Sequence, residues 1–503
     1  MKDSSTYEEL SKEELIAVLI EHSAKLEQKD LEIDKLYCLL IQAKKNLYGS
    51  KSEKQKISEN QLNFSFSEAK EEITSSNTES TIEVKSHNRK KREKRILPEG
   101  IERERIEYDL DLPLCPTCGK DMAVIGEEVS EELEFIPARF KVFEHARLKR
   151  ACSCCKNKVF IPSLPPEVKP LERRAAGAGL LSQILVSKYC DHNPLYRQEQ
   201  IFKRHGVILP RRLLCGWVAA AVEVLMPIYE ELKKEILIQS YVQADETTLK
   251  VQDKSKQGKL HTGYLWAVHA PPNKVFFHYG ESRASEVAIS IFEGYRGRVQ
   301  TDAYAGYNKI FLPDTCERIA CMAHIRRKFI EASASSKRTE CAKIISQIAQ
   351  LYKSEKLIKG LDHLERYEIR KKKSFGIMKK LYTLIRQEKQ KVLPESPYAK
   401  ALNYAWEQGG AMLQFFKDGK YEIDNNLIEN QMRPVALGRK NYLFAGSHEG
   451  ARRAAVLYSL INSCKLNKVS PYDYLQDVLR RIHTPGVKVS QLLPHNWASP
   501  VNM

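Results

Sequence analysis

The sequence predicts a multidomain α+β protein, and three observations lead to that fold class. The chain has 503 residues, which is too long for one hydrophobic core when a domain averages about 100 to 200 residues. Five of its cysteines fall in two tight groups between Cys115 and Cys155, a spacing typical of metal binding. Apolar residues also change from helical to strand spacing after Ile238. The chain therefore divides into helical, metal-binding and sheet-containing parts.

The charge of the chain favours a polyanionic partner. Lys and Arg number 81 against 64 Asp and Glu, a formal net charge of +17, and such a field attracts nucleic acid. An anionic membrane would suit the same charge, but the sequence has no stretch of 18 uninterrupted apolar residues, so no membrane partner is expected. The segment after Met1 lacks the apolar region of a secretory signal. We expect a cytoplasmic protein whose cysteines are thiols or metal ligands.

Residues 1–48 are predicted to form a coiled-coil-like helix. Five aliphatic residues recur there at every seventh position, which makes one complete coiled-coil seam: Leu19, Leu26, Ile33, Leu40 and Leu47. The companion seam is only partly apolar, with His22 and Lys29 among its members. A helix that joins copies of the chain and a single helix packed on its own chain both fit this pattern. We favour self-association, which predicts a homo-oligomer.

Residues 49–98 are predicted to be a disordered linker with a basic end. Their composition is dominated by Ser, Glu, Asn and Lys with few aliphatic residues, and such a segment cannot offset its own ordering entropy. Six of the seven residues from Arg89 to Arg95 are basic. This run either neutralises phosphates or is a solvated charge run.

Residues 99–165 are predicted to hold one structural zinc ion. Two C-x-x-C pairs, Cys115 with Cys118 and Cys152 with Cys155, are separated by 33 residues. Four thiolates complete a tetrahedral site that leaves no open position for catalysis. Cys154 leaves the register of the second pair open. A redox dithiol needs one C-x-x-C at a strand-to-helix junction and is the weaker interpretation.

Residues 174–237 are predicted to be helical and to include a helix-turn-helix. Leu195–Arg204 and Leu209–Met226 would be two helices around a turn at Gly206, which is a DNA-reading geometry. The exposed start of the second helix carries two candidate DNA contacts, Arg211 and Arg212. Its expected buried stripe is Leu214, Trp217, Val218 and Ala221. An ordinary helical hairpin that packs domains together explains the apolar residues equally well.

Residues 238–460 are predicted to form a sheet domain with a helical insertion. Four segments have strand periodicity, at 240–251, 263–270, 274–280 and 297–302. An amphipathic helix over 285–295 precedes the fourth strand. The insertion is expected at about 325–408 and is basic, with Ile344, Ile348, Leu351 and Tyr352 on one face. Helices continue from Asn425 to Ile482, so residues 461–503 form a C-terminal helical segment and tail.

Three acidic residues in this domain occur in an order that indicates metal chemistry. Asp245 lies in the first predicted strand, Asp302 closes the fourth, and Glu429 lies in a later helix. Carboxylate ligands with open coordination positions suit magnesium or manganese. A single acid is more often a helix cap or a surface charge. Two strand acids followed by a distant helix glutamate, in a basic chain, predict a ribonuclease-H-like α/β catalytic domain. Glu246 would face the opposite side of its strand and is not chosen.

The sequence resembles the IS66 family of transposases over nearly the whole chain. The matching stretches are PLYRQEQIFKRHGV, VQADETTLKV, QTDAYAGYN, AHIRRKF and IDNNLIENQMRPVALGRKNYLFAGSHEGARRAAVLYSLINSCKLN. The resemblance implies a catalytic triad of Asp245, Asp302 and Glu429, preceded by zipper-like and zinc-binding segments. Two departures occur, Ala303 where the family commonly has Gly and His495 where Trp is usual.

The resemblance also implies metal-dependent cutting and joining of DNA. Two magnesium or manganese ions would flank the scissile phosphate. The partners would be double-stranded DNA, from element ends and target, and small accessory proteins of the same element. Candidate phosphate contacts after the glutamate are Arg433, Arg439, Lys440, Arg452 and Arg453, and those at the start of the insertion are His324, Arg326 and Arg327. For each of them a solvated surface position is the alternative.

Two other functions remain open on the sequence alone. One is a DNA-binding regulator built from zinc segment, helix-turn-helix and coiled coil, in which the acids are merely structural. The other is a ribonuclease-H-like nuclease that cuts DNA without strand transfer. A transposase cleaves DNA when metal is present, whereas the regulator does not. A transposase also joins strands, whereas the nuclease does not.

Overall fold

The computed structural model describes most of the chain after residue 139. The described residues are 29, 139–151, 159–165, 171, 176–253, 255, 259–312, 315–336 and 339–498. The predicted coiled coil apart from Lys29, the linker and the four candidate zinc cysteines lie outside them. The chain forms two compact units, one of Ile41–Lys141 and one of Met1–Leu40 with Val142–Met503. All elements below belong to the second unit, and the predicted domain boundaries within it stay a prediction.

Between residue 139 and the main sheet, the described part of the chain has three helices, namely α1 (Ala178–Tyr189), α2 (Leu195–Arg204) and α3 (Arg211–Leu237). The predicted turn between α2 and α3 is confirmed, with Gly206 at φ +81°, a conformation that glycine adopts without strain. The predicted stripe of α3 is also confirmed, since Leu214, Trp217, Val218 and Ala221 are all buried. The helix continues past the predicted end at Met226, because its buried stripe extends through Ile228, Leu232 and Ile236.

A mixed five-stranded sheet follows these helices. Its strands are β3 (Tyr241–Gln252), β4 (Leu260–Ala270), β5 (Lys274–Gly280), β6 (Arg298–Thr301) and β7 (Glu317–Ala320), in the order β5-β4-β3-β6-β7. An antiparallel pair, β1 (Arg150–Ala151) with β2 (Val159–Phe160), lies earlier in the chain. β4 is antiparallel to β3 and to β5, whereas β6 is parallel to β3 and β7 to β6. The four predicted strands are confirmed, as is a helix before β6, α4 (Ser285–Ile291). The prediction lacked β7, whose four residues are too few for periodicity to detect.

The predicted helical insertion lies between β7 and the last helices. Its helices are α5 (Met322–Ser336), α6 (Thr339–Leu357), α7 (His363–Ile369), α8 (Phe375–Lys389), α9 (Pro397–Glu407) and α10 (Gly409–Gln414), with a π-helical turn at Arg370–Ser374. All of them except α7 contribute to one hydrophobic core, in which α6 places the fully buried Ile344, Ile348 and Leu351 and the partly buried Tyr352. The predicted apolar face is thereby confirmed.

A buried arginine ties the insertion to the chain that follows it. Arg370 is fully buried, and its guanidinium binds the two carboxylate oxygens of Glu355 at 2.9 and 2.7 Å. The same group donates to the backbone carbonyl of Asp418 at 3.1 Å. Arg366 extends the network by pairing with Glu422 at 3.1 Å. The backbone that leads to the last helices is therefore held by charge-assisted hydrogen bonds.

Three helices complete the unit, α11 (Asn426–Tyr442), α12 (His448–Leu466) and α13 (Pro471–Arg481). α12 covers the edge strand β5. The hydroxyl oxygen of Ser459 accepts the backbone N–H of Phe277 at 2.8 Å, and the hydroxyl of Ser463 donates to the carbonyl of Val275 at 3.0 Å. These bonds occupy backbone groups that an open sheet edge would offer to another chain.

Helix α3 buries one face against the rest of the unit. Among the described residues it is the one helix long and apolar enough to cross a membrane. It packs against α1, α12 and β5, where its apolar stripe is buried. Its end also accommodates His495, one of the two departures from the family pattern, whose Nε2 lies 2.8 Å from a carboxylate oxygen of Glu235. The packing thus accounts for the apolar character of α3 without a bilayer.

Candidate active site

Two glutamines set the relative position of the two strand acids. β3 and β6 run parallel, and Gln243 lies directly opposite Gln300. Asp245 follows the first glutamine by two residues, and Asp302 follows the second by two. Because side chains alternate along an extended chain, each acid is expected on the same face as its glutamine. The charge of Asp302 raises the pKa of Asp245, which agrees with two neighbouring carboxylates.

The same glutamines fasten the helix that carries Glu429 to this face of the sheet. The side-chain amide of Gln243 donates to the Gln300 side-chain oxygen at 2.9 Å and to the carbonyl of Asp424 at 3.0 Å. The side-chain oxygen of Gln243 accepts the backbone N–H of Ile428 at 3.1 Å. These residues are buried, where an unmet polar group would cost about 1 to 3 kcal/mol. The start of α11 is thus held against β3 and β6.

Asp424 fixes the entrance to α11. Its carboxylate accepts the backbone N–H of Asn426 at 3.1 Å and the hydroxyl of Tyr352 at 2.7 Å. Asn425 occupies the N-cap position, and its side-chain amide donates to the backbone of β3 at 3.0 Å. Glu429 follows one helical turn later. Its position relative to the sheet is therefore set by several buried hydrogen bonds.

The three acids form one electrostatic cluster. Burial raises the pKa of Asp245 well above its usual value. The charges of Glu246, Asp302 and Glu429 raise it further. Burial also raises the pKa of Glu429, and the guanidinium of Arg327 opposes that shift. A cation would relieve this repulsion, and carboxylate oxygens are the ligands that magnesium and manganese prefer, so the donor set fits a divalent ion.

Backbone hydrogen bonds orient the two strand carboxylates. Asp245 accepts the N–H of Glu246 at 2.8 Å, and Asp302 accepts the N–H of Tyr304 at 2.9 Å. Arg318 donates to the backbone carbonyl of Asp302 at 2.5 Å. Within the described residues, no three Asp, Glu, His or Cys side chains are close enough to hold a metal ion. The triad is thus an electrostatic cluster in this structure and not a closed ligand set.

Glu246 has partners unlike those of its neighbour Asp245. Its side chain is 1% exposed and forms an ion pair with Arg283. It also accepts the hydroxyl hydrogen bond of Tyr307 at 2.7 Å. The guanidinium of Arg283 lies over the ring of Tyr304, 3.7 Å from its centroid. These contacts occupy the Glu246 carboxylate within the fold and distinguish it from the acids beside α11.

The residues predicted to contact DNA lie in different surroundings. Arg211 and Arg212 are exposed at the start of α3, and Lys440 is exposed on α11. Arg433 lies within electrostatic range of Glu429, because its charge lowers the pKa of that residue. All four positions are compatible with a role in DNA binding, which stays a prediction.

Two other basic candidates have protein partners. The guanidinium of Arg439 donates to the backbone carbonyl of Thr248 on β3 and to its hydroxyl, the latter at 2.7 Å. Arg452 pairs with Glu281 at 2.9 Å. Arg453, the remaining candidate, is partly exposed. Sequence position alone could not reveal these contacts, because Thr248 and Glu281 are far away along the chain.

The roles of the two glutamines and of Arg318 were not predicted from the sequence. A signal for the glutamines was present, since the tetrapeptide V-Q-x-D occurs at both 242–245 and 299–302. A repeated pattern that ends in each strand acid indicates that both strands need the same polar residue two positions earlier. Arg318 had no comparable signal, because it lies on the unpredicted strand β7.

A basic chain with clustered carboxylates on a mixed sheet has the features of an enzyme that acts on nucleic acid, and comparison with family models identifies the class as transposase. The model described as "Transposase IS66 family" matches residues 173–453. Three further models match: "zinc-finger binding domain of transposase IS66" at 113–156, "IS66 C-terminal element" at 459–495, and "Transposase C of IS166 homeodomain" at 35–106. The chain belongs to the IS66 transposase family.

Three similar proteins come from Sinorhizobium fredii. The uncharacterized protein y4hP is 33% identical over 83% of this chain and 79% of its own length. The uncharacterized protein y4jD is 33% identical over 80% of this chain and 81% of its own length. The uncharacterized protein y4qI is 30% identical over 92% of this chain and 89% of its own length. These proteins match most of the chain, and their names describe no activity.

Proposed function

We propose that this protein is the DNA transposase of an insertion sequence, which cuts DNA at the ends of its element and joins them to target DNA. Asp245, Asp302 and Glu429 are its catalytic residues in this proposal and hold two magnesium or manganese ions. The paired register of Gln243 and Gln300 carries the proposal, because Asp245 and Asp302 each follow one of these glutamines by two residues and Gln243 also binds the start of the helix that carries Glu429. A mixed sheet with acids at two neighbouring parallel strands supports a ribonuclease-H-like catalytic domain.

The contribution of the chain itself is to hold the reacting groups in place. When bound, the divalent ions activate the attacking oxygen and stabilise the leaving oxygen of the phosphodiester. The three carboxylates provide oxygen ligands, and the buried network around Gln243 limits their movement relative to one another. No covalent bond between protein and DNA is needed. The same residues can therefore serve hydrolysis at an element end and attack of the freed 3′-hydroxyl on target DNA.

A strand-transfer assay with the full-length protein tests this function. The purified protein is incubated with duplexes that carry its own element ends, a target plasmid and magnesium. We expect cut ends with 3′-hydroxyl groups, followed by joined products. A nuclease without transposition would give cut ends only, and a DNA-binding regulator would give binding only. Bound ends without joined product would contradict the proposal.

The other parts of the chain are assigned supporting roles in this proposal. Residues 174–237 and the zinc-binding segment 99–165 recognise double-stranded DNA, with Arg211 and Arg212 at the exposed start of α3 as contacts. Residues 1–48 join copies of the chain, and 238–460 form the catalytic domain. The protein acts in the cytoplasm, where its DNA substrates are, and small accessory proteins of the same element are candidate partners.

Zinc removal is expected to unfold the segment 99–165. We expect about one zinc ion per chain, held by Cys115, Cys118, Cys152 and Cys155, with Cys154 as the alternative ligand in the second pair. Because a structural zinc ion contributes folding energy directly, Cys118→Ser should lower both the zinc content and the stability of the segment. Elemental analysis measures the first, and limited proteolysis the second. Cys215→Ser, at an exposed cysteine of α3, is the control, and unmodified protein without zinc would contradict the assignment.

Deletion of residues 1–48 is expected to weaken self-association. The seven-residue seam from Leu19 to Leu47 leaves an apolar stripe on an isolated helix. Leu26→Glu, at a seam position, should also weaken self-association. Gln28→Glu, two residues after that seam position, should leave self-association unchanged. Sedimentation velocity with and without DNA measures the effect. Equal sedimentation of full-length and truncated protein would assign the seam to a contact within one chain.

A further inference from the structure

The first turn of α5 brings two basic side chains to the acid cluster. His324 and Arg327 are three residues apart, so they lie on the same face of the helix. The Nε2 of His324 is 3.9 Å from a carboxylate oxygen of Glu429. Burial lowers the pKa of His324 and raises the pKa of Glu429; the charge of Asp302 opposes the first shift, and the charge of Arg327 opposes the second. Both side chains are therefore within electrostatic range of the triad.

Backbone contacts fix this arrangement. The N–H of Met322 donates to the carbonyl of Ile423 at 3.1 Å, and the N–H of Asn425 donates to the sulfur of Cys321 at 3.2 Å. The starts of α5 and α11 are thus fastened side by side. The proximity of His324 to Glu429 follows from the fold and not from the rotamer of one long side chain.

These two side chains have buried donors that the protein does not use. In the part of the chain that the structure describes, His324 Nδ1 and Arg327 Nε are buried and have no hydrogen-bond partner. A buried polar atom without a partner is destabilising, and the Arg327 Nε–H beside an acid cluster indicates a site completed by an external acceptor. That acceptor must be an anion or a polar oxygen, since Arg carries only donors.

We propose that His324 and Arg327 bind the scissile phosphate and hold it against Asp245, Asp302 and Glu429. This inference rests on the proposed transposase function, because a phosphodiester must enter a site whose own carboxylates repel it. A guanidinium offers forked N–H donors that match two phosphate oxygens, and the imidazole adds one further N–H donor. Both residues would touch the reacting phosphate and are therefore catalytic residues in this proposal.

Lys343 provides a control of the same charge on the neighbouring helix. It is exposed on α6, which packs against α5. Replacing Lys343 removes one positive charge from the insertion and leaves the side chains of His324 and Arg327 in place. Arg326 does not serve as a control, because among the described residues its Nε is also buried without a hydrogen-bond partner.

A substrate with one uncharged linkage tests the proposal by binding alone. Full-length protein is mixed in calcium with element-end duplexes whose cleavage position carries either the natural phosphate or a neutral methylphosphonate. Hydrogen bonds to a charged group are worth about 1.5 to 3 kcal/mol, so the unmodified protein should prefer the charged duplex by roughly 10-fold to 100-fold. Arg327→Gln and His324→Ala should each lose most of that preference, and Lys343→Gln should keep it. Arg327→Lys keeps the positive charge but lacks the forked N–H donors of a guanidinium. It should show an intermediate preference for the charged duplex.

The outcomes separate this inference from the proposed function. The inference is overturned if Arg327→Gln prefers the charged duplex as strongly as the unmodified protein does. Equal affinity of the unmodified protein for both duplexes overturns it as well. If the charge preference depends on Arg327 but magnesium gives no cleavage or joining, the phosphate site stands and the transposase function fails. Matching thermal unfolding midpoints of the variants show that the comparison concerns folded protein.

Discussion

Replacement of Asp245, Asp302 or Glu429 by Ala is expected to slow end cleavage and strand joining by about a thousandfold or more. Metal ions contribute several kcal/mol of transition-state stabilisation, and each factor of ten in rate corresponds to about 1.4 kcal/mol. Loss of one carboxylate removes a ligand from a shared site. DNA binding should largely persist, because it depends on many phosphate contacts elsewhere. Single-turnover cleavage in magnesium measures the first effect, and gel-shift binding in calcium measures the second.

Glu246 offers the matched control for this experiment, since it is the next acid along the same strand. Its carboxylate is taken up by Arg283 and Tyr307, so Ala would leave those donors without an acceptor. Glu246→Gln removes the charge while keeping a side-chain oxygen for them, and it should retain far more activity than Asp245→Ala. Cleavage by Asp245→Ala at the unmodified rate would show that the triad is misassigned and would favour the regulator.

Replacement of Arg370 by Ala is expected to destabilise the protein by about 3 to 5 kcal/mol, the usual effect of breaking a buried ion pair. The change leaves the carboxylate of Glu355 buried with its bidentate partner gone, and the carbonyl of Asp418 loses a donor. Urea unfolding followed by circular dichroism measures the loss. The chain before α11 should also become more accessible to proteases, because Arg370 holds its backbone.

Two further variants show whether charge burial is the cause. Lys372→Ala, at an exposed position of the same π-helical turn, should not change the unfolding midpoint measurably. The double variant Arg370→Met with Glu355→Leu should recover much of the stability, because replacing both members of a buried pair by apolar residues is often neutral or stabilising. A midpoint unchanged by Arg370→Ala would mean that the pair adds nothing to stability.

Long periodic elements were predictable from the sequence because local spacing alone determines which face is buried. The stripe from Leu214 to Ala221 is an example, and the structure confirms it. β3 is confirmed as a strand, but its buried and exposed residues alternate only from Thr248 to Gln252. β7 was not predicted, because four residues are too few to show the alternation of apolar and polar residues that marks a strand. The burial of Arg370 was not predicted either, because the run Arg370-Lys371-Lys372-Lys373 resembles a solvated charge run. Only its distant partner Glu355 makes burial of that arginine possible.

The candidate site was predictable in its residues but not in its geometry. The order of Asp245, Asp302 and Glu429, with the family resemblance, was enough to nominate them. The distance between the first two depends on the register of β3 against β6, which is a long-range pairing that local spacing cannot fix. His324 and Arg327 were candidate phosphate contacts on the sequence, but their position beside Glu429 needed the structure for the same reason. Their contact with α11 joins parts of the chain that an entire helical insertion separates.

That insertion has a consequence for the protein during its synthesis. Chains fold from the amino terminus as they are made, and the third acid of the triad arrives only after α5 to α10 have been translated. Helices α1 and α3 also pack against α12 and α13, which are translated later still. Their contacts with these helices therefore form only when synthesis is nearly complete. A chain that ends before α11 would lack both Glu429 and the helices that pack on α1 and α3.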